Sequence, residues 1–447
     1  MRHLNRFATR IGTRLGVVFI FVIAGCTSRT PRPEVMAANQ QAVKAAVESK
    51  NPPPAWAATG VRAHRVWQET RRFYQQNGYS IVWSDGTSPR SQMDGLIRAI
   101  RAADQSGLDP AEYGAGDLER IRQTFDASHA ADADVRFTYE YLHYATDLTH
   151  GTRDPEEVDP HWHAAPRKVD VAAALERGLA DNRVEDSLQK LEPPAPQYQG
   201  LKHQLAAARH DGGNPEAIAR IAMNMDRWRW LPDDLGSRYL LVNIPAFRLD
   251  AIEQGKSVLA MDVVTGKKDS PTPVLADEMT TVVFSPYWNI PAEIVTKEIL
   301  PKADNDPEYL EKNNIELDES GQHYRQRPGH GNSLGQVKFL FPNHFNVYLH
   351  DTPSQALFNR IERDFSHGCV RVARPLDLAK YVLRDQPEWT EERIVAAMNR
   401  GVEQSVALKQ PLPIYLVYFT SWEENGALQT RPDVYGLDRR HVKAVDQ

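Results

Sequence analysis

The sequence predicts an α+β protein, with a mainly helical N-terminal domain followed by a mostly β domain that carries a lid insertion, and three observations lead there. Apolar residues recur at helical spacing from about Arg62 onward. After Met223 they give way to extended runs rich in β-branched and aromatic residues, which suit a pleated, half-buried surface. Proline-rich strings at Asn51-Pro52-Pro53-Pro54 and Leu191-Glu192-Pro193-Pro194-Ala195-Pro196 punctuate the chain. With 447 residues, 41% hydrophobic and 25% charged, it can bury a substantial core in about two to three domains. A formal net charge of -6 argues against a nucleic-acid partner, which calls for a basic excess to neutralise phosphates.

The first residues read as an export signal. Arg2, Arg6, Arg10 and Arg14 precede the apolar run Leu15 to Ile23, which is too short to span a bilayer, since a helix needs about 20 apolar residues. Ala24 and Gly25 before Cys26 resemble the lipobox of bacterial lipoproteins, which implies cleavage after residue 25 and diacylation of the Cys26 thiol. The expected location is the periplasmic side of the cell envelope, held at the membrane by that lipid anchor. Thr27 and Ser28, with no Asp, resemble the outer-membrane sorting pattern of Gram-negative lipoproteins. Residues 26–58 have few large apolar side chains and read as a tether, partly helical around Val35 to Ser49.

The helical domain is expected over 59–212. His64 to Gln76 is helix-like, Gly78 to Trp83 reads as a turn and short strand, and Leu96, Ile100 and Ala103 form a helical stripe that Gly107 stops. Arg136 to Leu148 is a further helix, whose Phe137, Tyr141 and Tyr144 read as core. The β domain is expected over 216–425, with strands at Tyr239 to Ile244, Ser257 to Val264, Thr280 to Phe284, Gln336 to Phe341, Asn346 to Leu349 and Pro413 to Phe419. Pro375 to Leu383 is helical, and Thr390 is the N-cap of another helix with Glu391 and Glu392 in its first turn. Residues 291–335, long and polar, read as a lid, and 426–447 as a C-terminal tail.

The chain has two cysteines, Cys26 and Cys369, with separate surroundings, so a structural disulfide is not expected. Cys369 sits in Ser366-His367-Gly368-Cys369-Val370-Arg371-Val372. A cysteine attacks carbonyl carbon as the thiolate, so it needs a base or a positive neighbour, and donors for the oxyanion. His350 ends the strand-like Phe345-Asn346-Val347-Tyr348-Leu349 and could face Cys369 from an adjacent strand. Gly368 permits a tight turn that would gather backbone N–H groups into an oxyanion hole. The glycines at 329, 331 and 335 do not form a phosphate loop, because no Gly-Lys-Ser/Thr closes them. His344, His350, His367 and Cys369 lack the spacing of zinc ligands, so neither metal nor organic cofactor is expected.

Tyr348-Leu349-His350-Asp351-Thr352-Pro353, followed by the Ser366 to Val372 string, resembles the catalytic signature of the L,D-transpeptidases of the YkuD type. Asp226-Arg227-Trp228-Arg229-Trp230-Leu231-Pro232, Pro286-Tyr287-Trp288-Asn289-Ile290-Pro291 and Gly331-Asn332-Ser333-Leu334-Gly335 are similar to the long, YcbB-like branch, whose scaffold the helical domain also resembles. The resemblance implies Cys369 as nucleophile, His350 as general base oriented by a backbone carbonyl near Asp351, and Gly368 with Cys369 as oxyanion hole beside His367. It implies that Arg371 shapes the pocket and meets a substrate carboxylate. Tyr348, Trp288, Ser366 and Asp351 are further substrate-binding candidates.

The implied partners are peptidoglycan stem peptides, and carbapenem-type compounds as inhibitors. The implied reaction releases D-alanine from a tetrapeptide stem and leaves a 3→3 cross-link. A hydrolase that trims stems with water, an enzyme that joins or releases a wall-linked protein, and an inactive envelope scaffold lipoprotein are the alternatives. One departure stands out: His210-Asp211-Gly212-Gly213-Asn214-Pro215 bridges the place where the long branch usually inserts a peptidoglycan-binding module.

Overall fold

The computed structural model describes residues 33–49, 56–57, 61–164 and 167–443. The expected export signal, Cys26 and its lipidation lie outside them. The helical domain is built around Ala130–His150, a helix buried along almost its whole length. Phe137, Tyr141 and Leu142 on this helix are fully buried against Phe73, Tyr74 and Trp83, and Tyr144 is nearly so, which gives the aromatic stripe its core role. Helices Val61–Gln76, Gln92–Arg101, Val171–Ala180 and Val184–Gln189 pack around it.

Three expectations change here. The segment read as a tether forms its expected helix, Pro33–Glu48, but docks it by burying Val43 and Val47, one turn apart, in the same core. Gly78 to Trp83 forms no strand. The N–H groups of Val82 and Trp83 both donate to the Asp134 carboxylate at 2.8 Å, so they have no ladder to join. Residues 427–443 are a folded part of the catalytic half, with a strand at Ala427–Thr430 and a helix at Leu437–Lys443.

The strands in chain order are β1 Trp162–His163, β2 Arg238–Asn243, β3 Arg248–Glu253, β4 Lys256–Gly266, β5 Val274–Phe284, β6 Trp288–Asn289, β7 Ile315–Leu317 and β8 Tyr324–Gln326. They continue with β9 Val337–Leu340, β10 Leu349–His350, β11 Asp364–Ser366, β12 Val370–Val372, β13 Gln404–Val417, β14 Ser421–Glu424 and β15 Ala427–Thr430. A ten-stranded sheet runs β1-β5-β13-β2-β3-β4-β12-β10-β9, with β11 beside β4. Because β9 also pairs with β5, the path closes on itself. Closure removes the free edges that a long open sheet would expose. Leu240, Leu249, Val263, Val282, Phe339, Leu349 and Val370 fill one face with the helices Pro375–Val382 and Glu391–Met398.

Helices Pro196–His210 and Pro215–Arg229 join the two halves. Gly212 turns the chain between them at φ +65°, and Asn214 caps the second helix by accepting from Glu216 N at 2.8 Å. No inserted module stands between these two helices. Trp228 stacks on Phe419, with ring centroids 4.8 Å apart, which fixes the helix pair to the sheet. The lid includes the three-stranded sheet β6-β8-β7, a π-helical turn Val295–Ile299, and its own small core of Ile290, Val295, Ile299 and Ile315.

Candidate active site

The site lies where β10 and β12 run side by side in parallel, in the register Leu349 to Val370 and His350 to Arg371. Leu349 and Val370 face the core, so period-two alternation puts Tyr348, His350, Cys369 and Arg371 together on the other face. Antiparallel β9 adds Lys338 opposite His350. Gly368 takes φ +110°, a left-handed value that favours glycine, so the chain can turn sharply before the cysteine.

The turn is held from inside. Ser366 Oγ accepts from Gly368 N at 3.1 Å and donates to the Cys369 carbonyl. Ser366 is thus a buried brace of the loop, although it was expected to meet substrate. Cys369 N–H makes no hydrogen bond among the described residues, whereas Gly368 N–H is already taken. The backbone donor that the geometry leaves free beside the thiol is therefore the cysteine's own amide.

His350 is buried, and its Nδ1 lies 2.5 Å from the Asp351 carbonyl oxygen. A carbonyl can only accept, so Nδ1 carries the proton and Nε2 keeps a free lone pair. Burial, then the charge of Arg371 and that of Lys338, depress His350 to about 3, against a smaller opposing pull from the carbonyl. The Cys369 thiol is half-buried, and its Sγ approaches the Asn346 carbonyl at 3.7 Å. Burial pushes the thiol up to about 11, although Tyr348 and Arg371 pull the other way. Both shifts favour thiol and neutral imidazole at neutral pH, and among the described residues no hydrogen bond joins the two side chains.

Arg371 makes no ion pair among the described residues, and its buried Nε has no hydrogen-bond partner. Tyr348 lies cross-strand from Cys369, its ring centroid 5.7 Å from that of His350, and burial and the thiol raise its hydroxyl pKa. His367 is exposed, and its Nε2 donates to the lid carboxylate of Glu298 at 2.7 Å, with Lys267 Nζ 3.5 Å away. Its ring is therefore engaged by the lid. Asp351, expected to bind substrate, is 7% exposed and accepts from Gln336 N and Thr352 N at 2.8 and 2.7 Å. That carboxylate ties the β9 approach to the β10 exit, and a Cβ on Gly335 would fall 2.3 Å from it. Trp288 stands in β6 against Gln326 and packs on the lid's core.

Sequence reading missed the groups that shape this site from a distance. Asn343 donates to the carbonyls of Phe341 and Val347 and accepts from the amides of Phe345 and Val347. It thereby sets the turn in which Asn346, at φ +55°, offers its carbonyl to the thiol. Pro342-Asn343 in the sequence was a turn signal that could have found it. Glu298, Lys338 and Thr272 carry no local signal, since tertiary folding alone brings them to the site. Two cavities, of about 460 and 400 Å³, lie in the helical half away from the thiol.

A closed sheet that presents cysteine and histidine from neighbouring parallel strands, with a helical domain fixed to its flank, defines a two-part Cys–His protein. Residues 237–395 match the L,D-transpeptidase catalytic domain, and residues 68–205 match the scaffold domain. The chain is 28% identical over 390 residues to a Haemophilus influenzae protein named "Putative L,D-transpeptidase", covering 83% of this chain and 78% of the relative. Solved structures similar to part of it include an L,D-transpeptidase from Mycobacterium smegmatis, at 14% identity and TM-score 0.24, covering 40% of this chain and 58% of that one. Another is L,D-transpeptidase 1 of Mycobacterium tuberculosis, at 14% identity and TM-score 0.21, covering 40% and 61%. The protein joins an L,D-transpeptidase catalytic domain of the YkuD type to a scaffold domain.

Proposed function

We propose that the protein is a peptidoglycan L,D-transpeptidase that forms 3→3 cross-links through a thioester on Cys369. The observation that carries this reading is the fixed tautomer of His350, whose free Nε2 shares a strand face with a cysteine whose amide is unpaired. Cys369 attacks the carbonyl of the L-centre of the third stem residue while its thiol proton passes to His350 Nε2. The oxyanion is received by Cys369 N–H. As the intermediate collapses, the C–N bond breaks and His350 returns the proton to the departing D-alanine amine. An amine from a neighbouring stem, losing its proton to His350, then attacks the thioester. The sulfur leaves and takes that proton back.

The depressed basicity of His350 fits such a cycle. Proton transfer from the resting thiol is uphill until substrate arrives, and a stem carboxylate paired with Arg371 would remove one of the charges that hold the imidazole neutral. The lid contact through Glu298 and His367 favours transfer to an amine over transfer to water, because a covered thioester is shielded from hydrolysis. Carbapenems would acylate the same thiol. We place the protein on the periplasmic side of the envelope, lipid-anchored through Cys26, with tethering in place of an inserted wall-binding module.

Soluble protein lacking residues 1–26, incubated with disaccharide-tetrapeptide, tests this reading by liquid chromatography and mass spectrometry. A 3→3 dimer that disappears in Cys369→Ala supports it. Tripeptide without dimer would move the assignment to a hydrolase.

A further inference from the structure

The oxyanion donor is aimed by residues far from it in sequence. Thr272, buried in the turn between β4 and β5, donates its Oγ1 hydrogen to the Gly368 carbonyl at 2.8 Å and accepts from Gly266 N at 2.8 Å. In a trans peptide the C=O and the following N–H point in opposite directions. Anchoring the Gly368 carbonyl on Thr272 therefore turns the Cys369 N–H away from Thr272 and leaves it unpaired, as observed. Gly368, at φ +110°, would otherwise rotate this peptide easily, so the anchor has something to restrain.

Thr272 is itself held by the C-terminal segment. Tyr435 Oη donates to the Gly266 carbonyl at 2.6 Å and accepts from Thr272 N at 3.2 Å. With the Gly266 N to Thr272 Oγ1 bond this makes a closed ring of three hydrogen bonds. The other end of Tyr435 is also fixed: its N–H donates to Tyr418 Oη at 2.7 Å, and Tyr418 Oη donates to Asp433 at 2.7 Å. The segment past residue 426 thus reaches the nucleophile's turn through two side chains.

We infer that Thr272 and, behind it, Tyr435 are positioning residues that orient the Gly368–Cys369 peptide so that the Cys369 amide receives the oxyanion. The inference rests on the acyl-transfer reading of the site, and predicts an effect on acylation that spares the nucleophile's other reactions. Alkylation by iodoacetamide displaces iodide from a saturated carbon and forms no oxyanion, whereas acylation by p-nitrophenyl acetate forms one. Both consume the same thiol.

The test measures both rates on the protein and on three variants. Thr272→Val, nearly isosteric, should lose tenfold to a hundredfold in acylation and stay within twofold in alkylation. Thr272→Ser should restore acylation to within threefold. Tyr435→Phe, acting one hydrogen bond further away, should lose threefold to tenfold in acylation alone. Unchanged acylation in both Thr272→Val and Tyr435→Phe, or equal losses in both reactions, would overturn the inference. If Thr272→Val does not fold, the Tyr435→Phe split decides by itself. Intact nitrophenyl acetate acylation without any 3→3 dimer would remove the proposed function and leave this positioning role standing.

Discussion

The two halves of the protein treat buried charge in opposite ways. In the scaffold and its junction, buried cations meet anions. Arg229 pairs with Asp226 at 2.5 Å, Arg136 with Glu140 at 2.9 Å, and Arg227 with Asp438 at 2.8 Å. Burial alone would raise Asp226, yet His441 and Arg229 hold it well below the usual carboxylate range. The rule fails at Cys369, where, among the described residues, Arg371 has no anion, His350 Nε2 no donor and the cysteine amide no acceptor. Arg136, Arg227 and Arg229 also keep a buried nitrogen without a hydrogen-bond partner, so what sets Arg371 apart is the missing anion. At Cys369 a cation without an anion, a free imidazole lone pair and an unpaired amide share one face, an arrangement that suits an incoming ligand.

That contrast breaks first at His350, the proposed base. His350→Asn keeps a donor for the Asp351 carbonyl and removes the lone pair, so acylation by a carbapenem should fall about a thousandfold, as for other general bases. Intact-protein mass spectrometry over time would read this, and near-wild-type acylation would mean that another group takes the proton. The same contrast sharpens in stability. Arg229→Met leaves Asp226 buried without its guanidinium and should lower the unfolding free energy by about 3–5 kcal/mol. Arg371→Met strands no anion, so its urea midpoint should stay close to wild type while activity collapses. An equal stability loss in the two variants would make Arg371 a structural residue.

A third measurement concerns the proton on sulfur. The thiol is raised from 9.0 to about 11, so the thiolate fraction in the folded protein grows with pH well past the usual cysteine range. Iodoacetamide alkylation should rise about tenfold per pH unit through pH 8 and 9 and reach half its maximum near 11. A plateau already at pH 7 would reveal a resting thiolate–imidazolium pair instead. The sign for stability is the same: the folded thiol resists ionisation, so its contribution is present below pH 9 and is lost as pH climbs toward 11.

What was legible in the sequence follows from how local each signal is. Ser366 to Val372 and the His350 string are contiguous, and so are the long strand runs from Tyr239 and Ser257. The helix Pro33–Glu48 was legible around Val35 to Ser49, but it was placed in a free tether because the segment is poor in apolar residues, yet Val43 and Val47 at one-turn spacing suffice to dock it. Ile81 to Trp83 looked like a strand, but a strand exists only with a partner, and Asp134 took its donors. The strand expected over Asn346 to Leu349 shrinks to Leu349–His350, because Asn346 adopts a left-handed φ to serve the thiol. Thr272 and Tyr435 were invisible, since nothing beside them in the chain hints at Gly368.

The smallest expected effect tests whether the lid belongs to the open patch or to the satisfied framework. Glu298 and His367 are 40% and 36% exposed at the side chain, and such a contact, an ion pair only when the imidazole is protonated, is worth about 0–1 kcal/mol. Glu298→Gln keeps a hydrogen-bond acceptor and removes the charge, so the lid should loosen without detaching. Under the proposed reaction water would then reach the thioester more often, and the ratio of tripeptide to dimer should rise, by up to about fivefold, the factor that corresponds to such an energy. Because exposed pairs are screened by salt, wild type at 0.5 M salt should drift toward the variant's ratio while the variant itself stays put. A ratio that ignores both the substitution and the salt would assign lid closure to its uncharged contacts, such as the Asn332 amide bonds to the carbonyls of Pro286 and Arg327 at 3.0 Å. The lid would then be part of the rigid framework rather than a cover that the catalytic loop holds shut.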